Sequence, residues 1–151
     1  MESYTIAMAV KAYGFPRAPE DDRLVNDFMS GFALADYMKT RLSKLEYTTF
    51  DLIPEDFGWW LDVIQPETSF RASVIFSSFA EDENDRHMVP EMRVGIEPSK
   101  PFRRKWLFLK EDISSQTQRF SADVFGILHT IEGIEISDTE NCSYSCNDRT
   151  T

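Results

Sequence analysis

Cysteine and histidine are scarce in this sequence, which has two of each. Both cysteines, Cys142 and Cys146, lie near the end of the chain, where a disulfide would close a very small loop and stabilise little. A closed zinc site needs four ligands, and this pair has neither a second cysteine pair nor a neighbouring histidine. We therefore predict a fold that depends on no disulfide, and no metal or other cofactor.

Long apolar runs are also missing. No run approaches the roughly 18 residues that a membrane span requires. The first residues, Met-Glu-Ser-Tyr, lack the basic segment and apolar stretch of a secretory signal. We expect a soluble cytoplasmic protein without a membrane partner.

Basic residues are few: 16 Lys and Arg stand against 26 Asp and Glu, which gives a formal net charge of −10. Such a charge opposes a phosphate backbone, so we expect no nucleic acid among the ligands. It would attract a basic protein surface and speed the encounter, although an acidic balance also simply keeps a protein soluble.

The usual catalytic motifs are absent from the sequence. It has no Gly-rich phosphate loop, no Gly-x-Ser-x-Gly elbow and no His-Glu-x-x-His pair. Catalytic groups can still converge from distant positions, so this absence lowers the expectation of an enzyme without removing it.

The length and the apolar content of the chain are those of one globular domain. Its 151 residues are 42% hydrophobic and 13% aromatic, which is enough for one well-buried core. Periodic patterns end near residue 137. We predict a single domain over residues 1–137 and a flexible C-terminal tail over residues 138–151.

Apolar and polar residues alternate in the manner of strands over residues 4–13, 59–64, 70–77 and 92–96, and residues 134–136 fit a short last strand. Apolar residues spaced by three and four predict a long helix from Asp21 or Asp22 to Leu45. A second helix is predicted from Asp112, with Gly133 as its C-terminal cap. The order β-α-β-β-β-α-β predicts an α+β two-layer sandwich, a ferredoxin-like variant with two helices on one face of a mostly antiparallel sheet.

The most distinctive stretch is Pro-Glu-Asp-Phe-Gly-Trp-Trp, residues 54–60. Carboxylates beside two indoles could bind a cation or act as acid and base, if a second group and a pocket converge there. The favoured interpretation is structural: Pro54 starts a turn, Asp56 satisfies backbone donors, Gly58 adopts an unusual φ, and the tryptophans enter a strand.

Two further charged segments are candidates for partner binding. The oxygens of the acidic run over residues 81–85 could hold a hard cation, but the run lacks the glycine and the distal glutamate of a calcium loop, so a solvated loop is expected. Such a loop could also help to steer a basic partner. The basic island over residues 100–110 holds five of the 16 basic residues beside aromatic ones. It could dock an acidic patch or a phosphate, or keep a sheet edge soluble.

A long helix leading into Glu-Asp-Phe-Gly-Trp, a strand meander, a Pro-Phe-Arg-Arg connection and a closing helix before Glu-Gly-Ile-Glu-Ile together resemble small bacterial α+β proteins of uncharacterised function. The likeness covers about residues 4–137 and implies no catalytic residue. Among small acidic bacterial domains of this kind, immunity proteins and phage inhibitors of host defence are the nearest functional classes.

The leading hypothesis is a non-catalytic acidic domain that binds another protein with a basic surface, as an immunity protein or stoichiometric inhibitor would. The alternative is a small-ligand-binding or hydrolytic enzyme with its site near residues 55–60. Apolar surface at Phe32, Leu34, Trp60 and Ile64 predicts a homodimer. The candidate partner-binding residues are Glu55, Asp56, Trp59, Trp60, Glu81, Asp82, Glu83, Asp85, Arg103 and Arg104.

Overall fold

The computed structural model describes residues 3–11, 15, 17–24, 29–68, 70–79, 92–98, 114–137 and 140–144. The helices in this part of the chain are α1 (Phe32–Lys44) and α2 (Ser114–His129), with a 3₁₀ helix over Pro19–Arg23. The strands are β1 (Ser3–Lys11), β2 (Met29–Ser30), β3 (Thr48–Thr49), β4 (Ile53–Glu55), β5 (Gly58–Ile64), β6 (Arg71–Phe79), β7 (Met92–Pro98), β8 (Glu135–Ile136) and β9 (Glu140–Tyr144). The predicted α+β class is confirmed.

The strands form one open sheet in the order β3-β5-β6-β7-β1-β8, and β2, β4 and β9 pair with β6, β5 and β1. All of these pairs are antiparallel. The strands predicted over residues 59–64, 70–77 and 92–96 are therefore confirmed as β5, β6 and β7, which pair consecutively and antiparallel. The ferredoxin-like arrangement is not confirmed, because β1 pairs with the last meander strand and the short strands β2, β3 and β4 were not predicted.

One hydrophobic core fills the space between the sheet and the two helices. The strands contribute alternate side chains to it because successive residues of a strand point to opposite faces. The buried hydrophobic strand residues are Met8, Val10, Met29, Trp59, Leu61, Val63, Ala72, Val74, Phe76, Met92, Val94 and Ile96. The buried helical residues are Leu34, Ala35, Met38 and Leu42 on α1, and Phe120, Ser121, Val124, Ile127 and Leu128 on α2.

The first helix begins later than predicted. Helix α1 starts at Phe32, because the preceding Gly31 has a φ of +141° and Met29–Ser30 pair with β6 as a short strand. Asp21 therefore does not cap a long helix from its own position and lies instead in the 3₁₀ helix. Leu34, one of the residues expected to supply apolar surface for a homodimer, is fully buried, so it offers no surface to a second copy.

The second helix has the predicted apolar face, and Gly133 follows it with a φ of +74°. The predicted short strand after it is confirmed as β8. The region after residue 137 differs from the predicted tail, since Glu140–Tyr144 pair with β1 over five residue pairs. Neither α1 nor α2 combines the length and the apolar character needed to cross a membrane.

Candidate functional site

Residues 54–60, the stretch singled out in the sequence, form the tight hairpin between β4 and β5. Glu55 pairs with Gly58, which leaves Asp56 and Phe57 as the two turn residues. Gly58 has a φ of +134°, and a Cβ atom at this position would lie 2.1 Å from the carbonyl oxygen of Phe76. The hairpin therefore requires glycine here, in agreement with the structural interpretation of this stretch.

The two neighbouring tryptophans lie on opposite faces of the sheet. Trp59 is fully buried, and its indole Nε1–H donates to Asp21 Oδ1 at 2.7 Å. Trp60 is half-buried on the other face, where its Nε1–H donates to Asp62 Oδ1 at 2.7 Å. The four predicted binding residues of this stretch therefore do not form one surface. Trp59 lies in the core, Trp60 lies on the opposite face of the sheet, and Glu55 and Asp56 are exposed at the end of the hairpin.

Asp21 is a buried polar residue that connects three structural elements next to this hairpin. Its fully buried carboxylate accepts hydrogen bonds from Trp59 Nε1, from the backbone N–H of Phe32 at 3.1 Å and from that of Ala18 at 2.9 Å. The bond to Phe32 satisfies a free donor at the start of α1, so Asp21 stabilises a helix that begins eleven residues later. One side chain therefore joins the 3₁₀ helix, α1 and β5.

Exposed apolar side chains are concentrated in residues 45–57, which we call the edge stretch. The large hydrophobic residues most exposed in the described chain all lie there: Leu45 (40%), Phe50 (41%), Ile53 (42%) and Phe57 (42%). The exposed acidic residues of the same stretch are Glu46, Asp51, Glu55 and Asp56. The stretch contains no lysine or arginine. Sequence reasoning identified only its last part.

The edge stretch borders the whole length of β5. Thr48–Thr49 pair with one end of that strand, the backbone N–H of Phe50 donates to the carbonyl oxygen of Asp62, and β4 pairs with the other end. A seven-residue strand is roughly 20 Å long, so residues 48–55 follow one edge of the sheet over that distance, whereas Leu45 borders the groove between α1 and α2.

The backbone of this edge is poorly suited to pairing with another strand. Strand β3 has two residues, and β4 has three, of which Pro54 has no N–H to donate. Short edge strands and proline are features that prevent one sheet from extending another. Lys39 Nζ lies 3.5 Å from Asp51 Oδ1, but this pair is too exposed to neutralise the edge strongly. Contact with another molecule would therefore involve side chains.

Within the part of the chain that the structure describes, two grooves lie on the helical layer, away from the hairpin. One, of about 570 Å³, is bordered by α1 and Phe15, and the other, of about 330 Å³, by α1, Leu45 and α2. Neither is lined by Glu55 or Asp56. The enzyme hypothesis needs a pocket beside these carboxylates, and neither groove supplies one.

The other predicted binding residues lie outside the described residues, so the structure neither joins them to the hairpin nor separates them from it. They are Glu81, Asp82, Glu83, Asp85, Arg103 and Arg104. In the described part of the chain, no three His, Cys, Asp or Glu side chains are grouped to hold a metal ion.

Tyr47 anchors the start of the edge stretch to α2. Its O–H donates to Asp123 Oδ2 at 2.6 Å, and its ring packs edge-on against Phe120 with 5.2 Å between centroids. Burial, and then the hydrogen bond to Asp123 and the charge of that carboxylate, raise the pKa of Tyr47 well above its usual range.

This raised pKa predicts a loss of stability in alkali. Above about pH 10 the unfolded chain releases the Tyr47 proton while the folded chain keeps it, so the free energy of unfolding falls as pH rises. The contribution of this one group is up to about 1.4 kcal/mol per pH unit. Urea unfolding between pH 8 and 11 should show a shallower decline for Tyr47→Phe than for wild type. Equal slopes would contradict the assignment.

Comparisons with protein-family models, with curated proteins and with solved structures found no match. The geometry of the edge stretch and the charge of the chain are therefore the features that indicate a function.

Proposed function

We propose that this protein is a non-catalytic, acidic protein-binding domain of the cytoplasm, and that the edge stretch is its contact surface. The observation that carries the proposal is the concentration of exposed large apolar side chains among exposed carboxylates in residues 45–57. Apolar groups gain free energy when a partner covers them, at about 25 cal/mol per Å². Exposed apolar patches rimmed by polar residues are typical of protein interfaces.

The chemistry of the edge stretch favours a partner with a basic surface. Four carboxylates without a basic residue in the same 13 positions attract lysine and arginine, and the net charge of −10 extends this attraction over the molecule. Charges of this kind increase the rate of encounter and reject acidic partners, while the apolar side chains supply most of the affinity.

A second copy of the chain is a poor match for the same edge. Two edge stretches in contact would bring eight carboxylates together without a compensating cation from either stretch. The predicted homodimer thus needs another surface, and Leu34 cannot contribute to one because it is buried. Trp60 and Ile64 remain half-buried on the sheet face opposite the helices.

Within the class of binding domains, we propose an immunity protein or a stoichiometric inhibitor of a bacterial toxin or defence protein. The support is the resemblance described above, the single-domain size and the lack of catalytic motifs. Toxins that act on nucleic acids carry basic surfaces, which an acidic inhibitor can cover. The small-ligand-binding or hydrolytic enzyme remains the alternative, and turnover of a substrate that is lost in Glu55→Gln would favour it.

Copurification under low-salt conditions tests the proposal. Tagged wild type is expected to retain a basic protein in stoichiometric amount, whereas a variant carrying Glu55→Lys and Asp56→Lys is expected to lose it. The matched control carries Glu132→Lys and Glu135→Lys, two exposed acidic residues of which the second lies on β8, at the opposite edge of the sheet. Loss of the partner from both variants, or from neither, would refute a role for the edge stretch.

A further inference from the structure

The hairpin of the edge stretch presents a mixed aromatic and acidic face on the side of the sheet away from the helices. Ile53 pairs directly with Trp60, and Glu55 pairs with Gly58. Because side chains two apart on a strand share a face, Ile53, Glu55 and Trp60 lie on the same face. The ring of Phe57 contacts that of Trp60, with 5.9 Å between centroids and a tilt of 59°.

A hydrogen bond from its indole nitrogen holds the Trp60 side chain in one orientation. Its Nε1–H is bonded to Asp62 Oδ1, and the same oxygen accepts the hydroxyl of Ser73 at 2.7 Å from the neighbouring strand. The indole therefore has no free donor for a ligand. What it offers is an aromatic surface, fixed in place before any partner arrives, which reduces the ordering cost of binding.

A carboxylate lies close to this aromatic surface. Glu55 is a diagonal cross-strand neighbour of Trp60, and the backbone positions of such neighbours are roughly 7–8 Å apart, so a cation with a long side chain can reach both the exposed carboxylate and the ring. Asp56, exposed at the turn, adds a second negative charge. An anion would be repelled here, and a purely apolar group would leave the carboxylates without partners.

We propose that this hairpin face is a receptor for an arginine side chain of the partner protein. The guanidinium group stacks on Trp60 and Phe57 and pairs with Glu55, while the aliphatic part of the side chain covers Ile53. Arginine fits better than lysine because its planar group both stacks on aromatic rings and bonds a carboxylate through two parallel N–H groups. This inference rests on the proposed function and specifies the chemistry of its partner.

The test uses ¹⁵N-labelled full-length protein and two blocked tripeptides of equal charge, acetyl-Arg-Gly-Arg-amide and acetyl-Lys-Gly-Lys-amide. The Trp60 indole N–H resonance, assigned with a Trp60→Phe variant, is followed during each titration. We expect a saturable shift and a Kd at least about threefold lower for the arginine peptide. Phe57→Leu and Glu55→Gln should each weaken that binding, and Glu132→Gln should leave it unchanged.

The inference is overturned if both peptides bind equally, if Trp60 does not respond, or if Phe57→Leu and Glu55→Gln have no effect. Failure of the wider proposal has a different signature. A copurified partner that binds the edge stretch equally well after its arginines are replaced by lysine would refute the arginine receptor alone. A chain that binds the arginine peptide at Trp60 but retains no protein would refute the proposed function alone.

Discussion

Replacing Gly58 with alanine should reduce the free energy of unfolding by about 3 kcal/mol or more, since backbone strain and overpacking each cost about 1–3 kcal/mol. The added Cβ would lie 2.1 Å from the Phe76 carbonyl oxygen and 3.0 Å from Ser77 Cα, both backbone atoms of β6. Neither can move without disturbing the pairing of β5 with β6. The φ of +134° is also one that side chains other than glycine rarely adopt.

Gly126→Ala supplies a matched control. Gly126 lies inside α2, and a Cβ atom there would meet nothing within 4 Å. Alanine is favoured over glycine in a helix by up to about 1 kcal/mol, so this variant should be slightly more stable than wild type. Urea unfolding followed by circular dichroism should give midpoints that shift in opposite directions. A Gly58→Ala protein as stable as wild type would mean that the hairpin is not packed as described.

The second large effect is expected at Asp21. Asp21→Asn keeps the size of the side chain but replaces one acceptor oxygen with an amide donor, although all three hydrogen bonds described for this carboxylate are accepted. The new amide NH₂ group then faces at least one buried N–H donor, either Trp59 Nε1–H or a backbone N–H, and cannot accept a hydrogen bond from it. A buried donor without a partner costs about 1–3 kcal/mol, and loss of the charge-assisted bonds adds to that. We expect a total loss of about 2–4 kcal/mol.

Asp22→Asn is the control for this substitution. Asp22 is adjacent in sequence but its side chain is 75% exposed, and its bond to Arg17 is of the surface type that contributes less than about 1 kcal/mol. The two variants should therefore differ clearly in thermal unfolding, although they change charge identically. Near-ultraviolet circular dichroism should also change in Asp21→Asn, because the polar surroundings of the Trp59 indole change. Equal stability of the two variants would contradict the conclusion that Asp21 stabilises the packing of the 3₁₀ helix, α1 and β5.

Local sequence patterns predicted those parts of the fold whose burial follows a simple period. The alternation in residues 70–77 and 92–96 identified β6 and β7, and the three-four spacing identified α2, because each has one face on the core. The start of α1 was missed since the apolar spacing continues through residues 21–31. Helix α1 does not begin before Phe32, because Gly31 has a positive φ and Met29–Ser30 pair with β6.

The candidate site was predictable only in part, because the surroundings of several of its residues depend on contacts with distant parts of the chain. The turn and the unusual φ of Gly58 could be read from the sequence, although Glu55 lies at the end of β4 and only Asp56 and Phe57 form the turn. Strand parity alone would have separated Trp59 from Trp60. The role of Asp21 was hidden because its partners are up to 38 positions away along the chain. The exposure of Leu45 was hidden because the three-four spacing placed it on the apolar face of the predicted helix, whereas α1 ends at Lys44. The exposure of Phe50 was hidden because it follows no helical or strand period.

The central claim is that the edge stretch binds a basic partner, and association kinetics test it most directly. The copurified partner is mixed with wild type, with the Glu55→Lys and Asp56→Lys variant, and with the Glu132→Lys and Glu135→Lys variant, across a salt series. We predict that the first variant associates on the order of tenfold more slowly at low salt, with a smaller salt dependence, and that the second stays within about twofold of wild type. Equal slowing in both variants would mean that net charge alone governs the rate of association. Unchanged rates in both would mean that the partner binds elsewhere. Either result would contradict the claim that the edge stretch is the binding surface.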